Sequence, residues 1–253
     1  MSMLNKKLAL VTGGNRNIGR ETALALARAG ADVVITYHQQ ADSAAATVKD
    51  LQALGVKAAA LQVSLTGTAQ LPAFVERFAQ QLAAWGRKDF DILVNNAGTL
   101  RIGTFDKISE DDIDAVFNTN YKSVFFLTQK LAGLMADHGR IVNLGSGTAR
   151  IAFGPLVSYG PLKAALQSLT LYLAAFLGPR GITVNAVAPG GLDDDFNAPL
   201  FAMMPAKDYI KANTAVARVG VPNDVGSVIA FLCSPQASFI SGAVLPIDGG
   251  YHL

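Results

Sequence analysis

Tyr159 and Lys163 stand four residues apart in the stretch YGPLK, a spacing that sets two side chains on one face of a helix. An ammonium beside a phenol favours the phenolate, so the tyrosine's pKa is expected to fall from about 10 towards neutrality, where it can give a proton to a substrate oxygen or take one. Ser146, upstream in RIVNLGS, adds a hydroxyl that can hydrogen-bond the same oxygen. A tyrosine and a lysine at this spacing are common by chance, and a serine at a strand end can simply cap a turn. The three gain meaning only if the fold brings them together beside a bound group.

A second stretch provides for such a group. TGGNRNIG, Thr12 to Gly19, joins the apolar run LALV (Leu8 to Val11) to an alanine-rich helical run from Ile18 to Gly30. Gly13 permits a tight turn after the strand, and Gly19 lets the helix pack on the sheet or a diphosphate approach the backbone. The helix N-terminus presents unpaired N–H groups and a positive dipole end to a phosphate. Alone, the pattern describes an ordinary strand-to-helix turn equally well.

The elements that must position these residues alternate along the chain. Strands are expected at Leu8 to Val11, Ala31 to Tyr37, Lys57 to Val63, Asp91 to Gly98, Arg140 to Ser146 and Ile182 to Pro189, and a last one in VLPIDGG. Helices follow the first three, ending near Gly30, Leu54 and Trp85. A long helical region capped by Ser109, with Asp111 and Asp112 at its positive end, runs with a break to Ala136. Leu162 to Gly178 is helical in spacing but apolar almost all round, suiting a core or a subunit interface. The strands are continuously apolar, which implies a parallel sheet covered on both faces: a doubly wound, seven-stranded α/β fold in one domain spanning residues 1–253. Residues 191–217 break the rhythm with glycines, three aspartates and two methionines, and read as a flap over the site. Gly13, Asn95, Ser146 and Pro189 all fall at carboxyl ends of strands, where ligands of such sheets bind.

The 253 residues carry a net charge of +2 and 51% hydrophobic residues, with a mean hydropathy of +0.31. No basic run or charge excess points to nucleic acid or to a membrane surface, and no stretch reads as a membrane span or a signal peptide. A small-molecule ligand and a cytoplasmic location are expected. The single cysteine, Cys233, sits among apolar residues and reads as a buried structural thiol. Asp193, Asp194 and Asp195 have no His or Cys nearby, so they suit capping of a flap helix better than a metal, and no metal is expected.

Taken in order, the glycine-rich turn, NNAG at Asn95 to Gly98, Asn120 in NTNYKS, Ser146, YGPLK at Tyr159 to Lys163 and NAVAPG at Asn185 to Gly190 resemble the short-chain dehydrogenase/reductase family. The likeness runs from Lys6 to Tyr251 and extends to 3-oxoacyl thioester reductases. It implies a Rossmann fold, a nicotinamide cofactor and hydride transfer to or from a carbonyl carbon. Tyr159 would exchange the proton, Lys163 would lower its pKa and hold the ribose, Ser146 would position the substrate oxygen, and Asn120 would hold a water linking Lys163 to solvent. The cofactor would lie along Gly13, Asn15, Arg16, Asn17, Ile18 and Gly19, then Tyr37, His38 and Ser64, then Asn96, Ala97 and Gly98, ending at Tyr159, Lys163, Pro189 and Gly190. The same likeness implies a homotetramer, with the apolar helix Leu162 to Gly178 at one contact.

The second strand ends Tyr37-His38-Gln39-Gln40 without the carboxylate that would bond an NAD ribose, and Arg16 stands where NADP-preferring relatives carry a basic residue. NADP(H) is therefore expected over NAD(H). The chain departs from the family at Asn17, where most relatives have glycine, at Ser64, where an aspartate is usual, at Pro161 between the tyrosine and the lysine, and at Asp193, where a threonine often bonds the nicotinamide carboxamide. The phenylalanines and methionines of DFNAPLFAMMPAKDYI favour an apolar or amphipathic substrate. The departures keep a second reading open, a dinucleotide-binding regulatory or scaffold protein with weak or lost catalysis.

Overall fold

A computed structural model describes residues 3–203 and 206–253, and Met204 and Pro205 of the expected flap lie outside them. Seven strands form one parallel sheet: β1 (Leu8–Val11), β2 (Asp32–Tyr37), β3 (Ala58–Gln62), β4 (Phe90–Asn95), β5 (Met135–Leu144), β6 (Thr183–Pro189) and β7 (Val244–Ile247), in the order β3-β2-β1-β4-β5-β6-β7. Alternation along the strands divides the core in two. Ala9 and Val11 of β1, Val33 and Ile35 of β2, and Ile92 and Val94 of β4 pack on one face against α1 (Asn17–Arg28), α2 (Ala41–Ala53) and α9 (Pro222–Leu232). Leu8, Leu10, Val34 and Leu93 pack on the other against Phe74 and Phe78 of α3 (Leu71–Ala84), Leu127 and Leu131 of α5 (Ser123–Leu131), and Leu177 of α6 (Gly160–Leu177). Burial on both faces is why these strands read as unbroken apolar runs. Between β1 and β4 the winding reverses direction, which opens a crevice at their carboxyl ends.

Strand boundaries differ from the sequence reading by one or two residues at several ends, and two differences bear on the core and the site. Helical structure after Ser109 ends at Leu134, and Met135 and Ala136 already belong to β5, because Met135 pairs with Phe90 and buries its side chain in the core. Asn96 to Gly98 lie beyond the end of β4 in a loop, freeing them from the ladder to face the crevice. The break in the long helix is a single π-helical turn at Asn118–Lys122, between α4 (Glu110–Phe117) and α5. Ser109 caps α4 as expected: its Oγ accepts the Asp112 N–H at 3.2 Å while Asp112 accepts the Ser109 N–H at 3.2 Å. After β6 come two short helices, α7 (Ala198–Met203) and α8 (Ala206–Ala212). The segment holding them is tied to the body at Leu192–Gly220 and Thr214–Tyr251.

Candidate active site

The turn after β1 is shaped by backbone conformation. Gly13 has φ +62° and Asn17 has φ +48°, the left-handed conformation that asparagine tolerates best after glycine, so the turn survives the exchange at Asn17. A Cβ on Gly19 would collide with the Gly13 carbonyl oxygen. Side-chain hydrogen bonds hold this turn, one of them from Thr36, which the sequence reading did not single out: Thr36 Oγ1 accepts the Gly13 N–H at 3.1 Å, Gln40 Oε1 accepts from Asn15 Nδ2 at 3.3 Å, and Thr12 Oγ1 accepts the N–H groups of Asn96 and Ala97, each at 3.0 Å. Asn96 in turn donates from Nδ2 to the carbonyls of Thr12 and Gly13. Polar residues at strand ends, such as Thr36 beside Tyr37, were the available signal.

A cavity of about 490 Å³ opens over the carboxyl ends of the strands. Gly13, Asn15, Arg16, Asn17, Ile18 and Gly19 form one wall, Tyr37 and His38 its far end, and Asn96, Ala97 and Gly98 its floor. Ser146, Tyr159, Lys163, Pro189 and Gly190 lie on the same surface. Two expected residues do not line it. Ser64 turns its hydroxyl to Thr66 Oγ1 at 2.9 Å while Gln70 Oε1 accepts its N–H, so a side chain this short is spent locally, and Val63, Leu65 and Thr66 face the cavity instead. Asn120 lies behind the wall: its Oδ1 accepts the Thr99 N–H at 3.1 Å and its Nδ2 donates to the Thr99 carbonyl at 2.8 Å. Both ends of its amide brace the loop after NNAG.

Pro161 does not disturb the helical spacing of Tyr159 and Lys163. It occupies the first turn of α6, where no N–H is needed, and the Lys163 N–H donates to the Tyr159 carbonyl at 3.0 Å. The Lys163 Nζ lies 5.3 Å from the centre of the Tyr159 ring and donates to the Leu144 carbonyl at 2.6 Å. Ser146 Oγ accepts the Thr148 N–H at 3.2 Å and shares a 2.8 Å hydrogen bond with Thr148 Oγ1, while Gln167 Nε2 holds the Ser146 carbonyl at 3.0 Å.

Electrostatics in this cleft runs against the expectation for Tyr159. Its pKa is raised, first by burial and then by the Asp194 carboxylate. Lys163, only 3% exposed, is pushed down to about 7 by burial, so near neutral pH it is a weak counter-charge and desolvation of the phenolate dominates. The acidic run also resolves differently. Asp193 points outward, paired with Lys207 Nζ at 2.6 Å, and does not line the cavity. Asp194 does line it, and its Oδ1 accepts from the N–H and Nδ2 of Asn197 at 2.9 and 2.8 Å just before α7. Burial raises the Asp194 pKa; the Asn197 hydrogen bonds pull it down and the Asp195 charge pushes it up. Phe196 places its ring 6.2 Å from that of Tyr159, and Leu200 is buried beside them.

The family model described as Enoyl-(Acyl carrier protein) reductase matches residues 13–252. The chain is 34% identical to the 3-oxoacyl-[acyl-carrier-protein] reductase FabG of Staphylococcus aureus, over 98% of each. The chain belongs to the short-chain dehydrogenase/reductase family. Among solved structures, a short chain dehydrogenase from Burkholderia cenocepacia J2315 in complex with NADP is 41% identical with a TM-score of 0.89, covering 98% of both chains. A blue fluorescent protein from a metagenomic library, in complex with NADPH, is 36% identical with a TM-score of 0.91, covering 99% of this chain and 100% of its own. As a short-chain dehydrogenase/reductase, the chain is an oxidoreductase, and its Rossmann sheet matches that of these structures.

The residues present fit a dinucleotide. No side chain caps the N-terminus of α1, the Gly13 to Gly19 turn is held open towards the cavity, and Arg16 is exposed beside it with no ion-pair partner among the described residues.

Proposed function

We propose that this short-chain dehydrogenase/reductase is an NADP(H)-dependent carbonyl reductase or alcohol dehydrogenase. The observation that carries the reading is one continuous cavity whose wall holds the uncapped α1 N-terminus and Arg16 at one end and Ser146, Tyr159 and Lys163 at the other. Bound there, the nicotinamide supplies or accepts a hydride. Gly13 to Gly19 hold the diphosphate with backbone N–H groups, and Arg16 takes the 2′-phosphate through its guanidinium. Ser146 orients the carbonyl oxygen and Tyr159 exchanges its proton, a role that its raised pKa suits in the direction of carbonyl reduction, where the phenol must start protonated. Lys163 orients the ribose and the Tyr159 hydroxyl. Asn120 acts by bracing the Thr99 loop.

Residues 191–217 act as the flap, and Phe196 and Leu200 favour an apolar or amphipathic substrate. A 3-oxoacyl thioester is the first to test, since FabG is named for that reaction. The protein is proposed to act in the cytoplasm as a homotetramer; among the described residues no helix is long and apolar enough to cross a membrane. The deciding experiment follows NADPH and NADH oxidation over ketones, quinones, sugars and acyl thioesters. Turnover with wild type and at least a hundredfold loss of kcat in Tyr159→Phe are expected, with NADPH binding retained. Tight NADPH binding without turnover on the whole panel would instead favour a regulatory or scaffold role.

A further inference from the structure

Asp194 is the one carboxylate on the wall of the cavity among the described residues, and no lysine or arginine among them pairs with it. Its neighbours in sequence are differently placed, Asp193 on the surface with Lys207 and Phe196 against the Tyr159 ring. The Asn197 hydrogen bonds to its Oδ1 offset part of the desolvation of this carboxylate, and a cation in the cavity would offset more. The reaction proposed above sets where part of that ligand must lie. Hydride and proton reach the two ends of one C=O bond, so the nicotinamide carbon that serves Tyr159 sits within about 7 Å of the phenol oxygen. Asp194 stands two residues before Phe196, whose ring lies 6.2 Å from that of Tyr159, so its charge acts on a nicotinamide that serves Tyr159. The oxidised ring carries a positive charge and the reduced ring none, so a carboxylate distinguishes them.

We infer that Asp194 biases this site towards carbonyl reduction, by favouring the oxidised over the reduced nicotinamide. In that direction the carbonyl carbon gains a hydride, whose two electrons leave the dihydronicotinamide as its oxidised form. The carbonyl oxygen takes the Tyr159 proton, and Tyr159 regains one from water. One carbonyl, one NADPH and one proton are consumed; one alcohol and one NADP+ are formed. Lys163, 5.3 Å from the Tyr159 ring centre and lowered in pKa by burial, opposes Asp194 there, while the Asp195 charge acts on Asp194 itself and raises its pKa. The inference rests on the proposed cofactor.

The test measures dissociation constants of NADP+ and NADPH separately, by titration calorimetry, for wild type, Asp194→Asn, Asp194→Ser and the outward-facing control Asp193→Asn. Both substitutions at Asp194 keep an oxygen for the Asn197 N–H, so at least one is expected to fold. The ratio Kd(NADP+)/Kd(NADPH) should rise about tenfold on removing the Asp194 charge and stay within about twofold in the control, a shift in the potential of the bound couple that a structural defect would not mimic. An unchanged ratio in both Asp194 variants overturns the inference while leaving the proposed function intact. Failure of wild type to bind either nucleotide overturns both.

Discussion

At the scale of single residues, solvent exclusion decides the chemistry. Lys163 and Tyr159 are both buried, and each is pushed towards its neutral form. For Lys163 the unfolded chain binds the extra proton between about pH 7 and its ordinary value, so stability rises with pH across that window and the cost of the buried ammonium is full below it. Lys163→Met should therefore outperform wild type by about 2 kcal/mol more at pH 7 than near pH 10, measured by denaturant titration at the two values. Activity should be lost in that variant, since the group that orients Tyr159 is gone. Arg16 is the opposite case, an exposed guanidinium with no ion-pair partner among the described residues. Arg16→Ala should weaken NADPH by roughly tenfold or more, the loss expected for a charge-assisted bond to phosphate, and leave NADH unchanged. Equal losses for both nucleotides would reassign Arg16 to the diphosphate.

At the scale of elements, the site depends on places where regular structure is interrupted. The turn between β1 and α1 closes on itself so tightly that any side chain at position 19 meets the Gly13 carbonyl. Gly19→Ala should cost about 2 kcal/mol in stability and weaken NADPH binding more than tenfold, read by thermal unfolding and by calorimetry. Asn17 shows that the neighbouring position is less exacting, because it needs only φ above zero, which asparagine supplies. The π-helical turn at Asn118–Lys122 performs the second interruption. It lies between α4 and α5, and Asn120 within it reaches the Thr99 backbone and fixes the loop that follows NNAG. Pro161 marks the third, the start of α6, where it costs no hydrogen bond and leaves Tyr159 and Lys163 one helical step apart.

At the scale of the whole molecule, several large apolar side chains stay exposed on a single copy. On α6, Leu171, Tyr172 and Phe176 are 55%, 74% and 79% exposed, and Phe105 and Phe239 stand out elsewhere on the surface. Light scattering at micromolar concentration should find a tetramer, and Phe176→Asp should shift it to smaller species with the fold, followed by circular dichroism, retained. A wild-type monomer would show instead that these aromatics serve another contact.

Much of this molecule was legible in its residues. Continuous apolar strands specified a parallel sheet buried on both faces, and the glycine turn and Ser146 beyond strand ends, with Tyr159 and Lys163 at the start of a helix, marked the cavity, because periodicity and turn chemistry are local properties. What the fold alone decided was contact between residues far apart. Tyr159 and Lys163 are adjacent on a helix, yet the direction of their pKa values follows from burial and from Asp194, thirty-odd positions on, neither of which spacing reveals. One residue of rotation separates Asp193, facing Lys207, from Asp194, facing the cavity, and only the path of the chain after β6 determines which of them looks inward. Ser64 and Asn120 carry the expected chemistry in the expected order, but neither lines the cavity: Ser64 turns its hydroxyl to Thr66 and Asn120 ties its amide to the Thr99 backbone. Sequence order determines which groups are present; the free energy of burying them together determines which remain available.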